Sequence, residues 1–331
     1  MKKSELIAEK LNRFFERTMP ILTPLGVAIG VALPYVFIKL RPFIPWLFGT
    51  ITLSGALKLR AREMGKAVSS PLPIISFFVT AHILMPFLVF AISRFVLGPD
   101  MDTISGYVLL YSAPTAVTAF IWIGIFRGDS ALSLTFILLD TILAPLVVPL
   151  TVRFLLGASI SLDTSGMALS LVYMILLPTV AGVAINEASR GKIPAITCPY
   201  LNPLSKICMV LVISANSAAV APQLNLGNPR LPLIVPMCIF ISSLGFVCGK
   251  ISGMAGKLGI EKQKSLFFAT GLRNTSAAMT LGIEFFPPAA ALPSVLGIVF
   301  QQTIAAIMGR IFFGKNARKN EIEAIIGQNK P

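Results

Sequence analysis

Apolar runs of about 18–25 residues recur from one end of this chain to the other, each long enough to cross a hydrocarbon core about 30 Å thick. Ten can be placed: 19–39, 43–58, 72–97, 104–126, 130–156, 166–188, 203–221, 231–253, 264–284 and 289–313. The predicted fold class is an all-α polytopic membrane protein with ten transmembrane helices. The net charge of +14 would suggest a nucleic-acid partner in a soluble protein. Here it has another origin, because the basic residues follow membrane topology and no nucleic acid is implied.

With the N-terminus placed in the cytoplasm, 21 lysines and arginines fall on the inner side. Only Lys39, Arg41, Arg94, Arg153 and Arg230 fall on the outer side, while Lys206 and Arg273 lie near or inside spans. Both termini are therefore predicted to be cytoplasmic, in a multi-pass protein of the cell (inner) membrane. The segment 1–18 is amphipathic, carries Glu5, Glu9 and Glu16, and lacks a continuous apolar core or a small-residue cleavage site. It reads as a helix at the inner surface rather than a signal peptide. A basic tail occupies 314–331. Cys198, Cys208, Cys238 and Cys248 have no metal-ligand spacing with a histidine partner and read as small packing residues.

Inside the run 264–284 stands Gly271-Leu272-Arg273-Asn274. An arginine at the centre of a membrane helix costs roughly 2.5–3.5 kcal/mol on insertion scales. A glycine, an arginine and an asparagine together predict unwound backbone that lines a protein-buried or watery cavity.

The two halves of the chain resemble each other at a nearly fixed offset. Pro24-Leu-Gly-Val-Ala-Ile-Gly parallels Pro178-Thr-Val-Ala-Gly-Val-Ala, and Leu72-Pro73-Ile74-Ile75 parallels Leu231-Pro232-Leu233-Ile234. Ala113-Pro114-Thr115-Ala116 corresponds to Gly271-Leu272-Arg273-Asn274. Five spans is an odd number, so the repeat 166–313 must lie inverted relative to 19–156, with the fourth and ninth helices broken. Inverted repeats with matching breaks place a carrier's binding site where the breaks meet. Free amides and positive half-helix ends there favour an anion.

From Tyr111 the sequence runs SAPTAVTAFIWIGIFRGDSALSLTFILLDTILAPLVVPL. Its pattern of Pro114, Arg127-Gly128-Asp129, Ala131-Leu132-Ser133, Ala144-Pro145-Leu146 and Pro149 resembles the bile acid:sodium symporter family. Gly271-Leu272-Arg273-Asn274 resembles that family's second helix break, and His82-Ile-Leu-Met-Pro86 its third span. The resemblance implies a ten-helix symporter with a panel domain, a core domain and two crossing broken helices. It also implies organic-anion substrates, including bile acids and small carboxylates related to pantoate. The first sodium site it implies would fall on Ala119 and Phe120, Ser133 and Ile137, and Ala269. The second would fall on Ala81 or His82, Ala269 and Arg273. Only Ser133 keeps an oxygen at the first, and a guanidinium occupies the neighbourhood of a lost carboxylate. The family implies sodium, whereas these residues argue for proton coupling or an ion-independent mode.

Arg273 can serve as a fixed cation where relatives bind a mobile one, as a bidentate clamp on a substrate carboxylate, or as half of a structural ion pair. Asp140 lies two turns beyond Ser133 and stands open to two roles, partner of Arg273 and proton carrier. His82 is the single histidine. Histidine titrates in the physiological range, yet a lone membrane histidine can equally be a packing residue. The substrate-binding candidates are Arg273, Asn274, Thr275, Thr115 and Val117. The ion- or proton-coupling candidates are Asp140, His82, Ser133 and Thr270. Thr275 and Ser276 can alternatively cap the second half-helix. Gln301 and Gln302 read as helix-to-helix glue. The function expected is secondary transport of a small organic anion by alternating access, with the bilayer and that anion as partners and no resident cofactor. An integral-membrane enzyme would need a nucleophile or metal cluster that the spacing does not offer. A channel would need polar rings rather than inverted breaks.

Overall fold

A computed structural model describes residues 3–59, 71–157, 162–224 and 228–328. The basic residues Lys2, Arg60, Arg62, Lys66 and Lys330 lie outside the described residues. Among the described residues the chain is helical throughout, with an isolated β-bridge between Thr115 and Arg273. The helices are α1 (Lys3–Ala32), α2 (Pro34–Ala56), α3 (Pro71–Leu97), α4 (Met101–Ser112), α5 (Thr118–Ile125) and α6 (Ser130–Leu156). They continue as α7 (Thr164–Ala188), α8 (Lys192–Ala219), α9 (Leu231–Ala255), α10 (Ile260–Gly271), α11 (Thr275–Phe285) and α12 (Leu292–Gln328).

Local chemistry sets these boundaries. Asp100, Asp129 and Asp163 accept the backbone N–H of Thr103, Leu132 and Gly166, capping α4, α6 and α7, and such caps are worth about 1 kcal/mol each. Pro34 cannot donate a hydrogen bond and clashes with the preceding turn. The first span therefore ends at Ala32 rather than 39, Leu33 leaves helical geometry (φ −124°, ψ 53°), and α2 starts at Pro34 rather than 43. α8 begins at Lys192, 11 residues before the expected 203, with Pro199 and Pro203 held inside it. α1 carries the amphipathic start and the first span as one helix, and α12 continues past 313 to Gln328.

Seven of the described helices are long and apolar enough to cross a membrane by themselves. The paired segments α4–α5 and α10–α11 reach a comparable length only across their breaks. Phe95, Tyr35, Trp46 and Phe154 point outward with at least three-quarters of their surface open. Such a surface would drive aggregation in water and is solvated by lipid instead. This is a polytopic membrane protein.

Two packed groups of helices form the molecule. In the first, α1, α2, α7 and α8 pack on one another. A β-carbon on Gly30 of α1 would stand 2.3 Å from the Ser214 carbonyl oxygen of α8, so glycine is what lets these two helices touch. The second gathers α3, α4, α6, α9, α10, α11 and α12 around the two breaks. There Gly106 of α4 lies so close to Ala290 that a β-carbon would fall 2.1 Å from its carbonyl oxygen. Phe77, Phe136, Phe246, Phe267 and Phe268 fill the space beneath the breaks. All four cysteines are free, and three are buried in the packing.

Candidate functional site

The breaks occupy residues 113–117 and 272–274. Unwound backbone within a bilayer must find partners, because no water is there to satisfy it. These breaks satisfy each other. The Ala116 N–H donates to the Leu272 carbonyl at 2.9 Å, and the Asn274 N–H donates to the Pro114 carbonyl at 2.7 Å. The bridge is antiparallel, so the two chains cross in opposite senses. Gln301 of α12 braces the crossing. With its amide oriented to suit both partners, it donates to the Arg273 carbonyl at 3.0 Å and accepts from the Arg273 N–H at 3.0 Å. Asn274 caps α11 by accepting the Ala277 N–H at 3.1 Å, a role the sequence had offered to Thr275 and Ser276 as the alternative to binding.

Arg273, Asp140, His82 and Thr115 meet at this crossing, all four buried. The Asp140 Oδ2 accepts the Thr115 N–H at 2.7 Å and its hydroxyl at 2.8 Å, and Arg273 Nη1 lies 3.6 Å away. The other oxygen, Oδ1, stands 2.7 Å from His82 Nε2. Neither atom of that short contact meets hydrogen-bond geometry. Arg273 Nη1 also reaches the Thr115 hydroxyl at 3.4 Å. The guanidinium is not exhausted by these contacts: Nε and Nη2 have no hydrogen-bond partner among the described residues. His82 sits in a π-helical turn, Val79–Leu84, stacked on the Phe78 ring and edge-on to that of Phe77. Such turns often accompany functional positions.

A cavity of about 250 Å³ opens against the crossing, and Thr115, Val117, Arg273, Asn274 and Thr275 line it. Every substrate-binding candidate from the sequence therefore borders one space. Thr115 enters it with its hydroxyl already committed to Asp140. Gln302, held by Trp122 Nε1 at 2.7 Å, also lines the wall, and so do Lys58 and Lys206. The remaining coupling candidates stand apart. Ser133 and Thr270 are buried, but neither hydroxyl bonds to the Arg273–Asp140 cluster or to any other described residue. Among the roles that went unread in the sequence are the Thr115 hold on Asp140 and the Gln301 brace. A signal for the second was present: a mid-span glutamine offers both the donor and the acceptor that one unpaired residue in a break needs.

Paired helix breaks around buried charges in a membrane bundle are how secondary transporters build a binding site. The chain belongs to the sodium bile acid symporter family, whose sequence profile matches residues 45–225. That family transports solutes and is not enzymatic. The chain is 36% identical over 291 residues to "Uncharacterized protein YbaS" of Bacillus subtilis, covering 88% of this chain and 95% of that protein. It is 22% identical over 316 residues to "Uncharacterized sodium-dependent transporter YocS" of the same organism, covering 95% and 96%. It is 23% identical over 319 residues to "Probable sodium/metabolite cotransporter BASS3, chloroplastic" of Arabidopsis thaliana, covering 94% of this chain and 72% of that protein.

Proposed function

We propose that this transporter carries a small organic anion by alternating access and that Arg273 is its fixed cation. The observation that carries the reading is the Arg273 guanidinium, wholly buried at the helix crossing with Nε and Nη2 unpartnered. Those two nitrogens form one edge of the fork that takes a carboxylate with two parallel hydrogen bonds. The N-terminal ends of α5 and α11 begin at the same cavity, and their amides add positive potential. Its architecture is ten membrane-crossing segments in two inverted repeats, 19–156 and 166–313, flanked by 1–18 and 314–331. The antiparallel Thr115–Arg273 bridge supports the inversion. The charge asymmetry puts both termini in the cytoplasm of a cell-membrane protein.

The names of two of these relatives carry sodium. The residues here do not fit it. Sodium prefers several oxygens, whereas Ala119 and Ala269 sit in apolar clusters at the implied positions. Of the implied positions Ser133 alone brings a hydroxyl, and Thr270 next to Ala269 adds one more, neither hydrogen-bonded. Sodium is therefore not the coupling ion in this reading.

The test is thermal unfolding of the purified protein in sodium, potassium and choline chlorides, with and without a series of monocarboxylates. A ligand that binds only the folded state raises the midpoint by mass action. The expected result is a saturable rise with a carboxylate, absent in Arg273→Gln, and no sodium-specific rise. A sodium-specific, saturable rise overturns the replacement of the sodium sites. Undiminished transport by Arg273→Gln removes Arg273 from the mechanism.

A further inference from the structure

We infer that Trp122 is a positioning residue for specificity: it fixes the carboxamide of Gln302 so that an N–H donor borders the cavity, and the site thereby selects anions that carry a second, uncharged acceptor oxygen such as a ketone or an ether. This rests on the anion-carrier reading above and adds to it what the substrate holds besides its charge.

Gln302 differs from its neighbour in the chain. Gln301 is buried and spends its amide on the backbone of Arg273. Gln302 is exposed and lines the cavity, so joining helices does not exhaust what it can do. Its Oε1 accepts the indole N–H of Trp122 at 2.7 Å, and its Nε2 donates to the Thr118 hydroxyl at 3.2 Å. Thr118 and Trp122 stand one helical turn apart on α5 and share a face, so one helix grips the amide at both ends.

Donor chemistry decides which end faces which. An indole nitrogen donates and cannot accept, so only the oxygen of an amide can meet it. The amide nitrogen is thereby turned the other way. One of its two hydrogens goes to Thr118, and the second has no partner among the described residues. The indole is itself held in place. It stacks on Phe126 at 6.4 Å and on the buried Phe268 at 6.3 Å between ring centroids. A carboxamide without such a hold can turn over and offer a donor or an acceptor with equal ease. It would then discriminate little between ligands.

The second break contributes a matching donor. Asn274 Oδ1 is spent on the Ala277 N–H at 3.1 Å, which leaves Nδ2 as the polar atom that Asn274 brings to the same cavity. Lys58 and Lys206, which also line it, carry ammonium groups that donate and cannot accept. Acceptors come from other parts of the wall. The hydroxyls of Thr52, Thr141 and Ser205 donate to carbonyls of their own helices and keep their oxygens for a ligand. At the breaks, therefore, a ligand meets amide N–H groups from both sides of the crossing. A carboxylate takes some of them, and a ketone or ether oxygen takes another. With a carbon in place of that oxygen, an oriented donor is left without its partner, and sites built on placed polar groups discriminate against analogues that lack the partner.

The test uses pairs of carboxylates of matched shape: methoxyacetate against butanoate, and levulinate against isocaproate. In each pair an oxygen of the first replaces a carbon of the second. Binding is followed by the rise of the unfolding midpoint with concentration. In wild-type protein the oxygen-bearing member of at least one pair should bind about three- to tenfold more tightly, the range of one net hydrogen bond. Trp122→Phe keeps a ring on Phe126 and Phe268 and loses the N–H. It should bring that ratio to within about twofold of unity and leave the affinity for the hydrocarbon member unchanged, a split that loosened packing alone would not produce. Gln302→Met removes the amide at similar length and should level the pair in the same way. Adding Trp122→Phe to Gln302→Met should then change the ratio no further, because Trp122 acts through Gln302. Equal binding within both pairs by wild-type protein, or a wild-type ratio in Trp122→Phe, overturns the inference and leaves the anion carrier standing. A protein stabilised by none of these carboxylates overturns both.

Discussion

Replacing Arg273 with glutamine, Asp140 with asparagine, and both together separates what this pair does for folding from what it does for transport. The two charges approach to 3.6 Å in a site closed to solvent. At an effective dielectric constant of about 20, that separation corresponds to about 4–5 kcal/mol of attraction. Removing one partner loses the attraction and strands the other charge, and buried pairs broken in this way typically cost about 3–5 kcal/mol. Each single variant should therefore lose about that much unfolding free energy, measured by denaturant titration in mixed micelles. In the double variant two neutral amides face each other, the side-chain carbonyl introduced by Asp140→Asn can still accept the Thr115 N–H, and no charge is stranded. Its loss should fall short of the sum of the singles by about 2–3 kcal/mol, the coupling expected for residues in one network. Singles that add to the double within about 0.5 kcal/mol would refute the ion pair as a stabilising contact. Proteoliposome exchange on the same three proteins addresses the second half. The double variant strands no charge but still lacks the guanidinium that receives the carboxylate, so exchange should stay absent. A double variant that exchanges carboxylate like wild type shows Arg273 to be a structural partner of Asp140 and nothing more.

Two further substitutions probe the scaffold of the crossing. Gln301→Leu removes two hydrogen bonds to the backbone of Arg273; it should cost about 1–3 kcal/mol through the unsatisfied groups it leaves, and unchanged unfolding would show that the brace is not formed. Gly106→Ala forces a β-carbon to 2.1 Å from the Ala290 carbonyl oxygen, an overpacking expected to cost about 1–3 kcal/mol. Gly124→Ala, with no atom within 4 Å of the new carbon, is the matched control and should leave the unfolding midpoint within error of wild type.

The parts of this molecule that were legible in its sequence are those fixed by short-range rules or by the bilayer. Run length marked out the seven helices long and apolar enough to cross a membrane, and the cost of Arg273 in hydrocarbon located a break that begins, as expected, where α10 ends at Gly271. The position of Pro34 was equally legible but was outweighed by an apolar run continuing past it, and the misplaced first boundary follows from giving hydropathy precedence over proline stereochemistry. What sequence could not supply was distance between elements remote in the chain. Asp140 was singled out because it is a carboxylate deep in a span, and His82 because it is the only histidine. Nothing in their spacing of 58 positions says that α3 and α6 bring them to 2.7 Å. Thr115 shows the same limit from the other side. As a residue at a break it was assigned to the substrate, yet its N–H and hydroxyl both turn to Asp140. A buried carboxylate facing a single arginine still has lone pairs to fill, and the donors nearest in space fill them first. Charges carried into a membrane therefore recruit nearby polar residues as supports before a ligand arrives, and hydroxyls at a helix break are better read first against the buried charge they can reach. At this crossing, that order of claims leaves the buried Nε and Nη2 of Arg273 without a partner among the described residues.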